Sequence, residues 1–308
     1  MNSPVRHISF LTASSFILAS MIGTGVFTSL GFQLIKIQSI FPLLMLWVIG
    51  GILSLCGALS YGELGSALPR SGGEYHLLSH ILHPSIGFAA GVVSATVGFS
   101  APSVLAAMAL GSYLKAVFPF FNQTIVAIIV IVLFHFIHMK SVRWGTFFQN
   151  ITTLVKIALI FIFIFFGLFI DQPQSISIMP KTGDASILLS SGFANGLVWI
   201  TYAYAGWNSV IYIAGEIKHP QNNIHRSMLF STGMVMGLYL LLNYIFLYTA
   251  SIEDMVGKVE IGYISGIMIF GHIGYNIIGF GIALLLLSTV SSYIYIGPRI
   301  MQTMGQDY

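Results

Sequence analysis

The sequence predicts an all-α integral membrane protein, and three observations predict it. Hydrophobic residues make up 56% of the chain and charged residues only 7%, whereas a soluble domain needs about 25% charged residues to cover its surface. The mean hydropathy is +0.90, and the apolar residues fall into runs of roughly the 20 residues that a bilayer-crossing helix requires. These runs mix Leu, Ile, Phe and Gly without the period-two alternation of an outer-membrane strand. Backbone groups removed from water must then be satisfied inside helices rather than around a barrel.

Charged residues bound eight apolar segments: 8–32, 40–62, 86–114, 123–139, 150–170, 188–215, 227–250 and 269–296. The first follows Arg6 as a signal peptide would, but no A-x-A cleavage site appears and the run continues through Gly23-Thr24-Gly25, so it reads as a membrane helix that stays. The second carries the only cysteine, Cys56, which excludes a disulfide. A polar loop from Glu63 to Glu74 leads to the third. His76, His80 and His83 after that loop, and His135 and His138 near the end of the fourth, lie at helical spacings without an H-E-x-x-H signature, so they read as solvated or interfacial faces and no metal is expected. The fifth holds Lys156, the only Lys or Arg well inside a segment, where a cation costs about 2.5–3.5 kcal/mol; its ammonium either meets a partner or snorkels toward Asn150. The sixth contains Tyr202-Ala203-Tyr204-Ala205-Gly206-Trp207-Asn208, the seventh is uninterrupted by charge, and the eighth carries Ser291 and Ser292 ahead of Arg299.

Orientation follows from Lys and Arg. An inward N-terminus places Arg6, Arg70, Lys140, Arg143, Lys218, Arg226 and Arg299 inside, against Lys36, Lys115, Lys181 and Lys258 outside, so both termini are expected in the cytoplasm. The formal charge of +3 is scattered in ones and twos, which excludes nucleic acid as a partner and leaves the lipid bilayer as the expected surroundings.

Two segments carry glycine where a membrane helix can break. Met21-Ile22-Gly23-Thr24-Gly25 in the first and Tyr204-Ala205-Gly206 in the sixth lie about fifteen residues from opposite membrane faces, five helices apart. Breaks at corresponding places in two halves of opposite direction point to an inverted-repeat transporter with its substrate near the midplane. Glycine in membrane helices also serves close packing, and that reading stays open.

At these residues the chain resembles the amino acid-polyamine-organocation permeases, especially the bacterial and L-type neutral amino-acid transporters. Four motifs carry the resemblance, in order along the chain. They are Ile22-Gly23-Thr24-Gly25-Val26-Phe27; Tyr61-Gly62-Glu63-Leu64-Gly65 through Pro69-Arg70-Ser71-Gly72-Gly73-Glu74-Tyr75; Tyr204 to Asn208 followed by Ala214-Gly215-Glu216 through Ile224; and Arg299 through Gln306. The resemblance implies a LeuT-like inverted-repeat transporter fold of 5+5 helices, with residues 1–308 as one membrane domain, 8–171 as the first repeat and 188–299 as a partial second. Family members usually have twelve helices, and this chain, with about eight, is expected to lack counterparts of helices nine to twelve.

A free amino acid needs donors for its carboxylate and acceptors for its ammonium, and a broken helix offers both. The carboxylate is expected at Gly23, Thr24 and Gly25. By resemblance the ammonium goes to the carbonyls of Ile22, Tyr202, Ala203 and Ala205, with Tyr202 as an aromatic gate and Asn208 as a polar side chain of the pocket; packing alone would also account for Tyr202. The resemblance places Lys156 where sodium-coupled relatives bind their ion, bridging the fifth helix to the broken first. Ser291 is expected to support the same region, and Glu63 with Arg70 to form a cytoplasmic gate, although helix capping would look the same. No acidic residue lies near either break in the sequence, which favours neutral L-amino acids over dibasic ones or polyamines. The expected function is alternating-access transport at the plasma membrane, without a cofactor. Proton or counter-substrate coupling is compatible with it, and no partner subunit is legible. Two other readings stand beside it: a non-transporting fragment or half of a split permease, and an intramembrane enzyme, for which no paired carboxylates, Ser/His arrangement or metal motif is found within a segment.

Overall fold

The computed structural model describes residues 6–307, the side chains of Lys140 and Val142 excepted; residues 1–5 and 308 of the expected 1–308 domain, and the Lys140 side chain of the topology reading, lie outside the described residues. The first segment forms α1 (Phe10–Met21), whose Ser9 cap accepts from Thr12 N–H, and α2 (Gly25–Leu34), with a non-helical stretch between them. Next come α3 (Ile40–Ala67), α4 (Glu74–Ile81) and α5 (Pro84–Val93). A π-helical stretch, Ser94–Ser100, then runs into α6 (Ala101–Val117). Pro102 at the start of α6 has no N–H to continue the ladder and crowds the carbonyl a turn back, which the wider π turn accommodates. α7 (Gln123–Lys140) is capped by Asn122 and α8 (Val142–Leu168) by Ser141.

The short α9 (Asp184–Leu188) precedes α10 (Ser191–Tyr204), and a 3₁₀ stretch, Ser209–Glu216, continues beyond the second break. α11 (Pro220–Thr249), α12 (Ile252–Met255), α13 (Ile261–Phe270) and α14 (Gly274–Asp307) complete the chain. Among the described residues, six helical stretches are long and apolar enough to cross a membrane, and Gln123–Met139 is a shorter apolar helix. The sixth segment falls outside that set because its break divides it. The eighth begins later than expected: Gly271, at φ +66°, reverses the chain between α13 and α14, which pack as a hairpin.

With lipid on one side and protein on the other, helices associate by close packing rather than by escape from water. A face of small residues on α3 provides it. Cβ atoms added at Gly50 and Gly51 would clash with Ile200, Met236 and Tyr204, and one at Gly62 with His225, so α10 and α11 press directly on this helix. Behind it lies a buried aromatic cluster in which Tyr239 stands 5.4 Å from Trp47 and 5.0 Å from Tyr204.

Charges sort by end. Arg70 meets Asp307, Arg299 meets Glu216, and Ile8 pairs in an isolated parallel bridge with Ile217 beside Lys218. At the opposite end Lys36 and Lys181 line one hollow with Asp184, and the Lys258 carbonyl packs on Gly31.

Candidate functional site

The two breaks face each other. α1 ends at Met21 with Ile22 as its cap and α2 restarts at Gly25, so the N–H groups of Gly25 and Val26 lack an intrahelical carbonyl, while that of Phe27 bonds Thr24 O at 3.0 Å. α10 ends at Ala205, whose extended backbone (ψ 146°) leads into Gly206 at φ +106°. Only glycine holds that conformation without strain, and here it also permits contact: a Cβ on Gly206 would lie 2.8 Å from the Ser20 main-chain carbon. A Cβ on Gly25 would likewise come within 3.0 Å of the Ala203 Cα. The breaks are therefore packed backbone to backbone.

A single hydroxyl joins them. Tyr239 Oη on α11 lies 2.7 Å from Met21 O and 3.1 Å from Ala203 O, so its one proton is shared between carbonyls in the last turns of both broken helices. Nothing in the sequence singled out Tyr239, because its role depends on bringing together residues 218 and 36 positions away.

Between the breaks lies a cavity of about 470 Å³. Gly23, Thr24, Gly25, Tyr202, Ala203, Ala205 and Asn208, all named from the sequence, line it. A Cβ on Gly23 would meet nothing within 4 Å, so this glycine leaves room rather than contact. Tyr202 lines the cavity yet is 61% exposed. Its carbonyl accepts from Ala205 N–H at 3.1 Å and that of Ala203 from Tyr239, each keeping a second lone pair. The remaining wall was not foreseen. The π stretch and α6 contribute Val97, Gly98, Phe99, Pro102 and Leu105, and α14 contributes Leu286, Thr289 and Tyr293.

Lys156 is fully buried and does not snorkel. Its Nζ donates to Ile22 O at 2.5 Å, Ala19 O at 3.1 Å and Thr289 Oγ1 at 2.8 Å. α8 is thereby bridged to the end of α1 and to α14. The Thr289 hydroxyl in turn reaches Ala19 O and Ile22 O at 3.1 and 3.2 Å. Ile22 thus departs from its expected role: it does not line the cavity, and its carbonyl is occupied by Lys156 and Thr289 instead of facing a ligand.

Two further expectations are corrected. Ser291 is turned away from the site, its Oγ 3.1 Å from His138 Nε2 on α7; the supporting residue is Thr289, two positions earlier, because a helix advances about 100° per residue. Ser292 does face α1, with its Oγ 2.9 Å from Ser20 Oγ. Arg70 pairs with Asp307 at 2.5 Å rather than with Glu63, which is exposed.

The absence of acid near the breaks holds only along the chain. In space Asn208 Nδ2 donates to Glu74 Oε1 at 2.6 Å, and the Tyr212 hydroxyl donates to Glu74 Oε2. Burial pushes the Glu74 carboxyl above the usual carboxylate range, against the pull of the backbone bond at its own position and of the Asn208 amide.

This geometry stands beside three comparisons. The chain is 27% identical to the serine/threonine exchanger SteT of Bacillus subtilis over 99% of its own length and 69% of that protein. It is 25% identical to the mouse large neutral amino acids transporter small subunit 2 over 96% of its length, spanning 57% of that relative. With the human b(0,+)-type amino acid transporter 1 it shares 27% identity over 77% of its length, spanning half of that protein. All three are named as transporters or exchangers, not enzymes. The profile of the amino acid permease family matches residues 8–308, and the chain belongs to that family of multi-pass membrane proteins.

Proposed function

We propose that this chain carries amino acids across the plasma membrane by alternating access, with neutral L-amino acids as its substrates. One observation carries the reading: two helix breaks, packed backbone to backbone, open onto one cavity. The first-turn amides of α2 and its dipole suit a carboxylate, and the carbonyls of Tyr202, Ala203 and Ala205 suit an ammonium. Asn208 supplies a polar side chain beside them. In this reading residues 8–171 form one five-helix repeat and 188–299 part of its inverted counterpart, with eight spans and both termini inside.

The preference for neutral substrates rests on Glu74. Asn208 and Tyr212 hold it behind the cavity wall rather than in the lining, and burial favours its uncharged form, so a distal ammonium or guanidinium meets no exposed carboxylate there. The names of the exchanger and the large neutral transporter agree with that preference. Lys156 acts as a built-in cation between α8 and the first break, and coupling is then to a proton or a counter-substrate.

The test is thermal stability of the purified chain against a panel of L-amino acids with arginine and putrescine, since a ligand that binds only the folded state raises stability by mass action. Shifts with neutral L-amino acids, absent with their amides and decarboxylated analogues, are expected, followed by flux in proteoliposomes. A clear preference for arginine or putrescine over leucine or alanine would overturn the substrate class. A second reading, a partial permease completed by further helices, is favoured by the exposure of cavity-lining Tyr202, Val97 and Leu105, each 61% accessible. Binding that appears only when a segment with four more apolar helices is supplied would select it.

A further inference from the structure

Glu74 belongs to neither break, yet it holds the floor of the cavity. It is the first residue of α4, and its two donors, Asn208 and Tyr212, both line the cavity on the chain that follows the second break. The loop before it is fastened to the same stretch through the main chain. Gly72 N–H donates to Tyr212 O and Gly215 N–H donates to Ser71 Oγ, both at 3.1 Å. A Cβ on Gly73 would lie 2.3 Å from the Tyr212 ring, so the loop lies flat on that side chain.

Among the described residues no cation pairs with this carboxyl group. Arg70 is committed to Asp307, which also receives the Tyr75 hydroxyl and the field of His76. The titratable groups that face Glu74 from packed elements are the phenols of Tyr61 on α3 and Tyr212 on the 3₁₀ stretch. The arrangement also accommodates a proton. Protonated on Oε2, Glu74 donates to the Tyr212 oxygen; Tyr212 turns its own proton toward Ser94 Oγ, 3.4 Å away on the π stretch; and Oε1 still accepts from Asn208.

We propose that Glu74 is a proton-binding latch and a positioning residue: one carboxyl group ties the α4 loop to the 3₁₀ stretch and aims the Asn208 amide into the cavity. Opening the floor then breaks the bonds that orient Asn208. The sense of the coupling follows from burial. Closure withdraws the carboxyl from water and opening returns it, so the closed form holds its proton more tightly, as the raised Glu74 value indicates. Acid therefore favours closure and deprotonation favours opening. The role of Asn208 toward substrate rests on the permease reading; the latch itself does not.

The experiment reads the floor directly, without substrate. Ser209 lines the cavity, is buried, and its hydroxyl has no hydrogen-bond partner, so Ser209→Cys in a Cys56→Ser background is a quiet reporter. Maleimide labelling is followed in nanodiscs from roughly pH 4.5, near the ordinary glutamate value, upward to about pH 8. The ratio of parent to Glu74→Gln at each pH cancels the titration of the thiol. That ratio is expected to stay near one in acid and to climb several-fold toward alkaline pH, because Gln mimics the protonated latch. Glu74→Ala, which loses both bonds, is expected to label about tenfold faster than Glu74→Gln at every pH, the worth of two ordinary neutral hydrogen bonds. If it does not purify, Tyr212→Phe replaces it and labels faster than parent. A flat ratio, or Ala and Phe variants no faster than Gln and parent, overturns the latch. Failure of every amino acid to bind would defeat the permease reading alone.

Discussion

Replacing Lys156 by Met keeps the apolar stem and removes the ammonium. Three hydrogen bonds disappear with it, those to Ala19 O, Ile22 O and Thr289 Oγ1. The Thr289 hydroxyl reaches both carbonyls but has one proton, so one carbonyl keeps a donor and the other is orphaned. An orphaned buried carbonyl costs about 1–3 kcal/mol. In the other direction, removing a cation from the apolar interior relieves about 2.5–3.5 kcal/mol on insertion scales. Lys156→Met is therefore expected to insert and to lie between about 0.5 kcal/mol less stable and about 2.5 kcal/mol more stable than the parent. Lys156→Ala also empties the stem's volume, at a further cost of about 2–5 kcal/mol. Position is what does not cancel, because the ammonium holds the end of α1 beside the cavity. Thermal melting with and without amino acid, then proteoliposome flux at several pH values, should show both variants folded, with ligand stabilisation lost and flux abolished or its pH dependence altered. Normal transport by Lys156→Met across pH would refute the reasoning and leave the lysine as mere packing.

Tyr239→Phe removes the hydroxyl shared by Met21 O and Ala203 O and should cost about 1–3 kcal/mol in thermal unfolding, with weaker ligand binding; an unchanged midpoint would mean the hydroxyl does not join the breaks. Two glycines should separate on the same assay. Gly206→Ala meets both a positive φ and the Ser20 backbone and should lose about 1–3 kcal/mol or more. Gly23→Ala has open space and should stay within about 0.5 kcal/mol while lowering ligand affinity. Burial pushes the Asp307 carboxyl up, but hydrogen bonds from Arg70 and Tyr75 outweigh it and hold the group below the usual range. A depressed carboxyl contributes stability that is present above its unfolded-state value and lost as pH falls through its folded one. Asp307→Asn should thus differ from the parent near neutral pH, converging with it in strong acid. With Arg70 44% exposed, the ion-pair part of that difference stays under about 1 kcal/mol, measured by melting against pH.

Much of this site was legible because it is backbone chemistry. A helix break needs glycine at one place, and Gly23-Thr24-Gly25 and Gly206 mark both breaks in the sequence without help from the rest of the chain. Lys156 was legible for a related reason: a cation inside an apolar run must find acceptors, whichever they are. Residues working through partners distant in sequence were not. Thr289 and Ser291 sit two positions apart in one polar patch, and only the rotation of α14 against α1 decides which of them meets Lys156. Arg70 could pair with Glu63 nearby or with Asp307 some 237 positions on, and helix packing selects the latter. Glu74 lay in a recognised motif, but 134 residues separate it from the Asn208 amide it holds.

By itself, then, the sequence determined the solvent, the helices and where two of them break, because hydropathy and the needs of an unpaired backbone are local properties. Tertiary structure alone decided that the breaks share a cavity, that one tyrosine joins them, and that a carboxylate lies beneath. Those facts depend on which helix faces press together, and in lipid that choice belongs to shape and hydrogen bonding among many residues at once.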